Sequence, residues 1–364
     1  MKLIHCADLH LGSKIRAKLP EDKAETRRKE VRQAFAAMLA SARKNGVTAV
    51  LISGDAFDSD RPSLRDRRLF YDSIKQYGDL TFFYLRGNHD GEEGGLSEDL
   101  PNLKTFGEAW KTYSCGDCTV TGAEWNANNA EELYRSLSLP ADKTNIVMLH
   151  GDINGEINLA RLKNKNIDYL ALGHIHTYCG GEIDERGTYA YSGCLEGRGY
   201  DECGKKGYVL LQTSEYGEDG ARRSGAAGGG KVSHRFVPSS IREITEYRVD
   251  VSAADGEYEA LRLVQKAVTS PREDLIRIYL TGTASFDRRA LEKTVKEAFE
   301  NRYFFVSVKD ETRAKCDFSR YEEECSVKGE FVRLVLKRDD LSAEEKDAVI
   351  RLGIGALENN EAEL

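Results

Sequence analysis

The sequence predicts an α/β protein: a two-sheet sandwich flanked by helices, followed by a small α/β unit and C-terminal helices. Three observations predict it. Five short apolar runs of the kind that fill buried strands alternate with stretches of helical spacing over residues 1–172. Each run leads into a residue able to bind a metal ion. After Pro238 a smaller alternation of strands and helices begins.

The first strand is expected at Lys2 to His5. Glu25 to Lys44 follows as a helix, with Val31, Phe35, Met38, Leu39 and Ala42 at helical spacing and Asn45-Gly46 as its stop. Ala49 to Ile52 is the second strand. Ser63 to Tyr77, after Pro62, repeats the helical pattern with Leu64, Phe70, Ile74 and Tyr77, a stripe that suits core packing. Thr81 to Leu85, Asn145 to Leu149 and Tyr169 to Leu172 complete the five runs. Thr188 to Ser192 and Gly207 to Gln212 read as later strands of a second sheet. This first domain is expected to span residues 1–237, with a flexible glycine-rich loop at about 215–233. Strands at Glu246 to Val251, Leu275 to Thr281 and Tyr303 to Val308, with helices at Glu257 to Val268 and Asp287 to Glu300, define a second domain over 238–318. Residues 319–364 form a helical segment. Val327, Phe331, Leu334 and Val335 make one stripe there, and Val349, Leu352 and Ala356 another; Ser342-Ala343-Glu344-Glu345 is a capping box.

The five strand ends read Asp8-Leu9-His10, Gly54-Asp55, Gly87-Asn88-His89-Asp90, His150-Gly151 and Gly173-His174-Ile175-His176. Any one alone reads as a cap, a turn or a satisfied core histidine. Together they offer Asp8, His10, Asp55, Asn88, His150, His174 and His176, more than one tetrahedral zinc accepts, and no thiolate. Two ions fit better. Ions roughly 3.5–4 Å apart can clamp a phosphoryl group and generate hydroxide near neutral pH. Imidazole, carboxylate and amide oxygen suit Mn²⁺, Fe²⁺, Co²⁺ or Zn²⁺. One ligand must bridge the pair. Asp55 is the choice, because a lone carboxylate in a Gly-Asp turn has two oxygens to share.

In these motifs and their order the chain resembles the calcineurin-like metallophosphoesterases over roughly residues 1–210. Ala7-Asp8-Leu9-His10-Leu11-Gly12, Gly54-Asp55-Ala56-Phe57-Asp58 and Gly173-His174-Ile175-His176 are most similar to the SbcD family, nuclease subunits of bacterial DNA-repair complexes. The resemblance implies that Asp8, His10, Asp55 and His176 hold one ion, and Asp55, Asn88, His150 and His174 the other. It implies that His89 stabilises or protonates the leaving oxygen, and that Asp58 orients His89. It further implies a metal-dependent DNA exonuclease or endonuclease, using Mn²⁺ before other ions and acting on ends or hairpins. A homodimer, an SbcC-like ABC ATPase partner, a capping domain at 238–318 and a partner anchor at 319–364 belong to the same expectation. The rival reading is another phosphodiesterase or phosphatase of this superfamily, acting on a small molecule or phosphoprotein.

Charge argues in two directions. The net charge of −8 is unhelpful for a DNA enzyme, since phosphate contacts supply most non-specific affinity. Cations nevertheless cluster beside the motifs, so Lys14, Arg16, Arg61, Arg65 and Arg198 are the candidate DNA contacts. Acidic runs at Tyr321 to Glu324 and Glu358 to Glu363 carry much of the opposing charge.

The 40% apolar content suits a globular chain, and 364 residues suggest more than one domain. Eight dispersed cysteines, no signal-peptide core and no run near a membrane span's ~20 residues predict a cytoplasmic protein. Two motifs are set aside. Gly225 to Lys231 nearly matches a phosphate-binding loop, but Val232 stands where Ser or Thr belongs and no strand precedes it, so no nucleotide site is expected. Cys115-Gly116-Asp117-Cys118 has no second pair at zinc-site spacing and reads as a turn with two inert thiols.

Overall fold

A computed structural model describes residues 1–15, 17–91, 100–213, 232–314, 318, 321 and 324–357. Arg16, the glycine-rich run from Gly225 to Lys231, Glu322, Glu323 and the acidic end from Glu358 lie outside the described residues, as do the side chains of Ala343 and Glu344. The chain divides into two compact units. The first comprises residues 1–246, 271–276 and 303–305; the second comprises 247–270, 277–302 and 306–364.

The first unit contains two six-stranded sheets. Its central strands are β1 (Lys2–Cys6), β2 (Ala49–Ser53) and β3 (Thr81–Leu85), with β4 (Leu103–Thr105) beyond them. The other sheet runs in the order β5 (Lys111–Cys115), β6 (Cys118–Gly122), β7 (Thr144–His150), β8 (Tyr169–Gly173), β10 (Thr188–Tyr191) and β9 (Cys179–Glu182). Successive side chains on a strand face opposite ways, and the burial follows that period. Leu3, Leu51, Phe83, Met148, Tyr169 and Ala171 share the core with the facing sheet's residues. Ile4, Cys6, Val50 and Ile52 instead join the helices.

Those helices are α1 (Glu21–Lys44) and α2 (Leu64–Gln76). Helix α1 starts right after Pro20, with Glu21 and Asp22 in its first turn and Arg43 and Lys44 in its last, as the helix dipole favours. It buries Val31, Phe35, Met38, Leu39 and Ala42. Full burial of Phe35 or Leu39 is worth ~1.5–3 kcal/mol. Ser63 caps α2 by accepting a hydrogen bond from the Asp66 amide. Phe70 and Ile74 turn inward, whereas Leu64 remains exposed.

One strand is placed differently from expectation. β11 (Gly207–Thr213) belongs to the first sheet, antiparallel to β1 with Leu3 opposite Leu211, and β12 (Val232–Pro238) pairs on its far side. Its alternation fitted either sheet; only the pairing decides. The Cys115 and Cys118 segment is the tight turn of the β5–β6 hairpin.

A three-stranded sheet, most of whose residues belong to the second unit, has β13 (Ile244–Asp250), β14 (Leu275–Thr281) and β16 (Phe305–Asp310) adjacent in that order. A minor pair, β15 (Thr283–Ala284) with β17 (Arg313–Ala314), accompanies them. Helices α3 (Glu257–Ala267) and α4 (Arg288–Glu300) bury Ala260, Val264, Leu291, Val295 and Phe299. Helices α5 (Val327–Leu336) and α6 (Ala343–Leu357) pack on one another through Val332, Val335 and Ile350. The expected stripe is therefore split. Val335 faces inward and Phe331 is partly buried, but Val327 and Leu334 are exposed. No helix among the described residues is long and apolar enough to cross a membrane.

Candidate metal centre

The five ligand segments leave neighbouring strand ends of both sheets, so their side chains converge. β1 pairs with β2, β2 with β3, and β7 with β8, all in parallel, which puts each carboxyl-terminal end at the same edge. The loops then bond to each other: the amides of Asp8 and His10 donate to the carbonyls of Gly54 and Asp55, each at 3.0 Å. Asp90 ties in the third loop. Its carboxylate accepts the amides of Ala56, Phe57 and Gly87 at 3.1, 2.9 and 3.1 Å. Burial, then the charge of Asp55, lifts Asp90 to about 6.

Local strain accompanies this convergence. Asp8, His10, Asp55 and His174 have φ of 52°, 44°, 52° and 99°, a region that costs non-glycine residues of order 1–3 kcal/mol. Gly54 is required on two counts. Its φ is +91°, and a Cβ would fall 2.2 Å from His150 Nδ1. At Gly87 a Cβ would lie 2.2 Å from Asp55 Oδ1.

Two groups of donors result. In the first, His10 Nε2 and His176 Nε2 face each other at 3.1 Å, and ligand atoms of Asp8, His10 and His176 lie within 4.8 Å of one another. In the second, Asn88 Oδ1 lies 2.9 Å from His150 Nε2 and 3.2 Å from His174 Nδ1. Asp55 stands between them. Its Oδ2 is 3.8 Å from His10 Nε2 and 3.5 Å from His150 Nε2, while Oδ1 accepts the His89 amide at 2.9 Å.

Electrostatics demand positive charge here. Asp8 and Asp55 are buried carboxylates, and an unpaired buried charge is costly. Burial opposes charge on Asp55 and His150, but their mutual contact overrides it, holding Asp55 down at about 2 and lifting His150 to about 9. Either a proton or a divalent cation can satisfy the carboxylates. A donor set of imidazoles, carboxylates and one amide oxygen fits the cation.

Behind the first group lies a buried layer not anticipated from sequence. Glu202 Oε1 accepts from His176 Nδ1 at 2.7 Å and from Arg198 Nη2 at 2.5 Å. Arg198 Nη1 donates to Asp58 Oδ1 at 2.7 Å. That same Asp58 oxygen is 3.1 Å from His10 Nδ1, though off the line of a good hydrogen bond. Burial works against the Glu202 carboxylate, yet His176 and Arg198 hold it well below the ordinary range. The loop bearing them is fixed to α1: Arg27 Nη2 donates to Glu196 Oε1 and to the Gly197 carbonyl, both at 2.7 Å.

Two sequence expectations change. Arg198 is no surface cation for DNA, because its side chain is 1% exposed and bound to two carboxylates. Asp58 accepts from Arg198 and approaches His10 Nδ1 at 3.1 Å, while its contact with His89 is looser, within 4.8 Å of a ring nitrogen. His89 is half-buried, its ring edge-on to that of His10 at 5.1 Å between centroids. Lys14, Arg61 and Arg65 are exposed.

A cavity of about 850 Å³ opens beside Asn88 and His150, lined also by Arg86, Glu124, Trp125 and Glu156. Arg86 is engaged by Glu124 in a two-pronged ion pair at 2.8 and 2.6 Å.

Residues 1–178 match the family model described as calcineurin-like phosphoesterase. The chain is also similar to curated proteins called DNA double-strand break repair protein Mre11. That of Methanosarcina acetivorans is 26% identical over 245 residues, 62% of this chain and 38% of the relative. That of Sulfolobus acidocaldarius is 22% identical over 355 residues, 88% of this chain and 87% of the relative. That of Sulfurisphaera tokodaii is 23% identical over 195 residues, 48% of this chain and 49% of the relative. The chain thus spans less than two thirds of two of these three relatives in the matched regions. The motifs, the converging side chains and the family match agree: residues 1–178 match the calcineurin-like phosphoesterase family, and the chain is similar to curated Mre11 proteins.

Proposed function

We propose that this protein is a metal-dependent DNA nuclease that hydrolyses phosphodiester bonds in DNA repair. The observation that carries the reading is Asp55 Oδ2, placed between two donor groups at 3.8 Å from His10 Nε2 and 3.5 Å from His150 Nε2. Asp8, His10, Asp55 and His176 would hold one ion; Asp55, Asn88, His150 and His174 would hold the other. We take Mn²⁺ as the working ion. When bound, such a pair polarises a phosphoryl group and lowers the pKa of water.

The chain's own residues do the rest. Asp8, His10, Asp55 and His150 are buried, whereas Asn88 is exposed and His89, His174 and His176 are half-buried, so a phosphate approaches from the His89 side. His89 is assigned the proton transfer to the leaving oxygen. Its backbone amide donates to Asp55 Oδ1, which fixes the His89 segment beside the two donor groups. Lys14, Arg61 and Arg65 are retained as DNA contacts. Residues 238–318 are proposed to cap access to the site, and 319–364 to anchor a coiled-coil ABC ATPase of the SbcC type, in a cytoplasmic homodimeric assembly.

The cavity beside Asn88 and His150 favours one alternative, a phosphodiesterase for a small molecule. A Mn²⁺-dependent assay separates the two. Cleavage of end-labelled duplex or hairpin DNA is expected; turnover of a chromogenic phosphodiester with intact DNA would select the alternative. Undiminished DNA cleavage in chelator would end both.

A further inference from the structure

We propose that Arg198 is a positioning residue shared by both histidines of the first metal position, and that it makes this position the tighter of the two. The inference rests on the dinuclear reading above. A histidine binds a metal through one ring nitrogen, and a carboxylate on the other fixes the tautomer and strengthens the donor. Glu202 does this for His176, at 2.7 Å to Nδ1. Asp58 stands in the same relation to His10, at 3.1 Å and less well aligned.

A carboxylate on a flexible stem does not by itself hold such a position. Arg198 supplies the fixing. Its guanidinium meets Glu202 through Nη2 at 2.5 Å and Asp58 through Nη1 at 2.7 Å, one planar fork spanning both carboxylates. The Arg198 amide also donates to Glu202 Oε2 at 2.7 Å. The two imidazoles are thereby set with their Nε2 atoms converging at 3.1 Å.

The second position has no such backing. His150 Nδ1 donates to a neutral carbonyl, that of Ser53, at 2.9 Å. Asn88 is an uncharged ligand. The ring of His174 has only Asn88 as a hydrogen-bond partner among the described residues. An ion at the second position is therefore held by weaker donors and exchanges first.

The test is Mn²⁺ titration of the full chain, free of other metals, followed by calorimetry and electron paramagnetic resonance. Wild type is expected to bind two ions in resolved steps. In Arg198→Met the tighter step weakens by about 10- to 100-fold, the usual cost of losing such an outer partner, and the weaker step does not move. Arg198→Lys, which can reach one carboxylate, restores part of the loss. An Arg198→Met titration matching wild type, or an equal loss in both steps with circular dichroism unchanged, overturns the proposal. If Arg198→Met does not fold, Glu202→Ala and Glu202→Gln decide. The amide oxygen of Gln can still accept from His176, so Glu202→Gln must retain the tighter step that Glu202→Ala loses; identical titrations overturn it. In ¹⁵N spectra of metal-free protein, Glu202→Ala should also lose the Nδ1–H signature of His176. Wild type binding no divalent ion would instead sink the dinuclear reading itself.

Discussion

His10 and His176, 166 positions apart in the chain, bring their Nε2 atoms to 3.1 Å of each other. With a proton on each Nδ1, both Nε2 atoms present lone pairs, an arrangement that repels unless a cation accepts both. Replacing His176 by Ala removes one of these donors and leaves the Asn88 group intact. Mn²⁺ occupancy measured by elemental analysis should fall from two ions toward one. Loss of both would mean that the two groups are not separate.

Asp55 Oδ2 lies between both donor groups and is the proposed bridging ligand. An amide bridges two cations poorly, so Asp55→Asn should abolish cleavage and lower occupancy at both positions. Full two-ion occupancy in purified Asp55→Asn would remove the bridging assignment.

The proposed function gives His89 a role in chemistry and none in metal affinity. His89→Gln should keep both ions and its affinity for DNA, while single-turnover cleavage drops by about 10²–10⁴-fold, the usual worth of a positioned acid–base group. Asp58→Asn should behave differently, because Asp58 leans on His10 and Arg198. It should weaken the first ion as well as slow cleavage. A His89 variant that lost metal would make His89 a ligand.

His5 makes stability depend on pH. Its Nε2 donates to the Leu172 carbonyl at 3.2 Å, which leaves Nδ1 to accept from the Tyr169 hydroxyl at 2.8 Å, so the ring is neutral. Burial pushes His5 down to about 3. The unfolded chain therefore binds the extra proton first, and stability is lost as pH falls from about 6.5 toward about 3, by at most about 1.4 kcal/mol per pH unit. Urea unfolding of wild type and His5→Gln between pH 7 and pH 4 checks this. The variant should lose stability less steeply; equal slopes would show that His5 is not the titrating group.

The C-terminal helices form a small cluster of their own, Tyr321, Val332, Val335 and Ile350, while Val327, Leu334, Val349 and Leu352 stay exposed. Deleting residues 319–364 should leave a folded protein that still cleaves DNA with Mn²⁺ but no longer co-purifies with the proposed ATPase partner. Aggregation of the truncated chain would make the segment structural; retained association would place the anchor elsewhere.

What the sequence determined by itself is local. Apolar runs at strand period and helical spacing in α1 follow from which side chains a short segment must bury, and the five segments that converge in the structure could be found at the ends of such runs. Tertiary structure decided the pairings. Whether Gly207–Thr213 joins one sheet or the other depends on its register against β1, across some two hundred residues, and an alternating pattern is the same in both. Arg198 and Glu202 follow no period at all. A lone arginine beside a glycine reads as surface charge until the fold buries it between Glu202 and Asp58, and only then does its partner, and hence its role, exist. Burial periodicity is written along the chain, but charge pairing depends on distances that the packed sheets alone set.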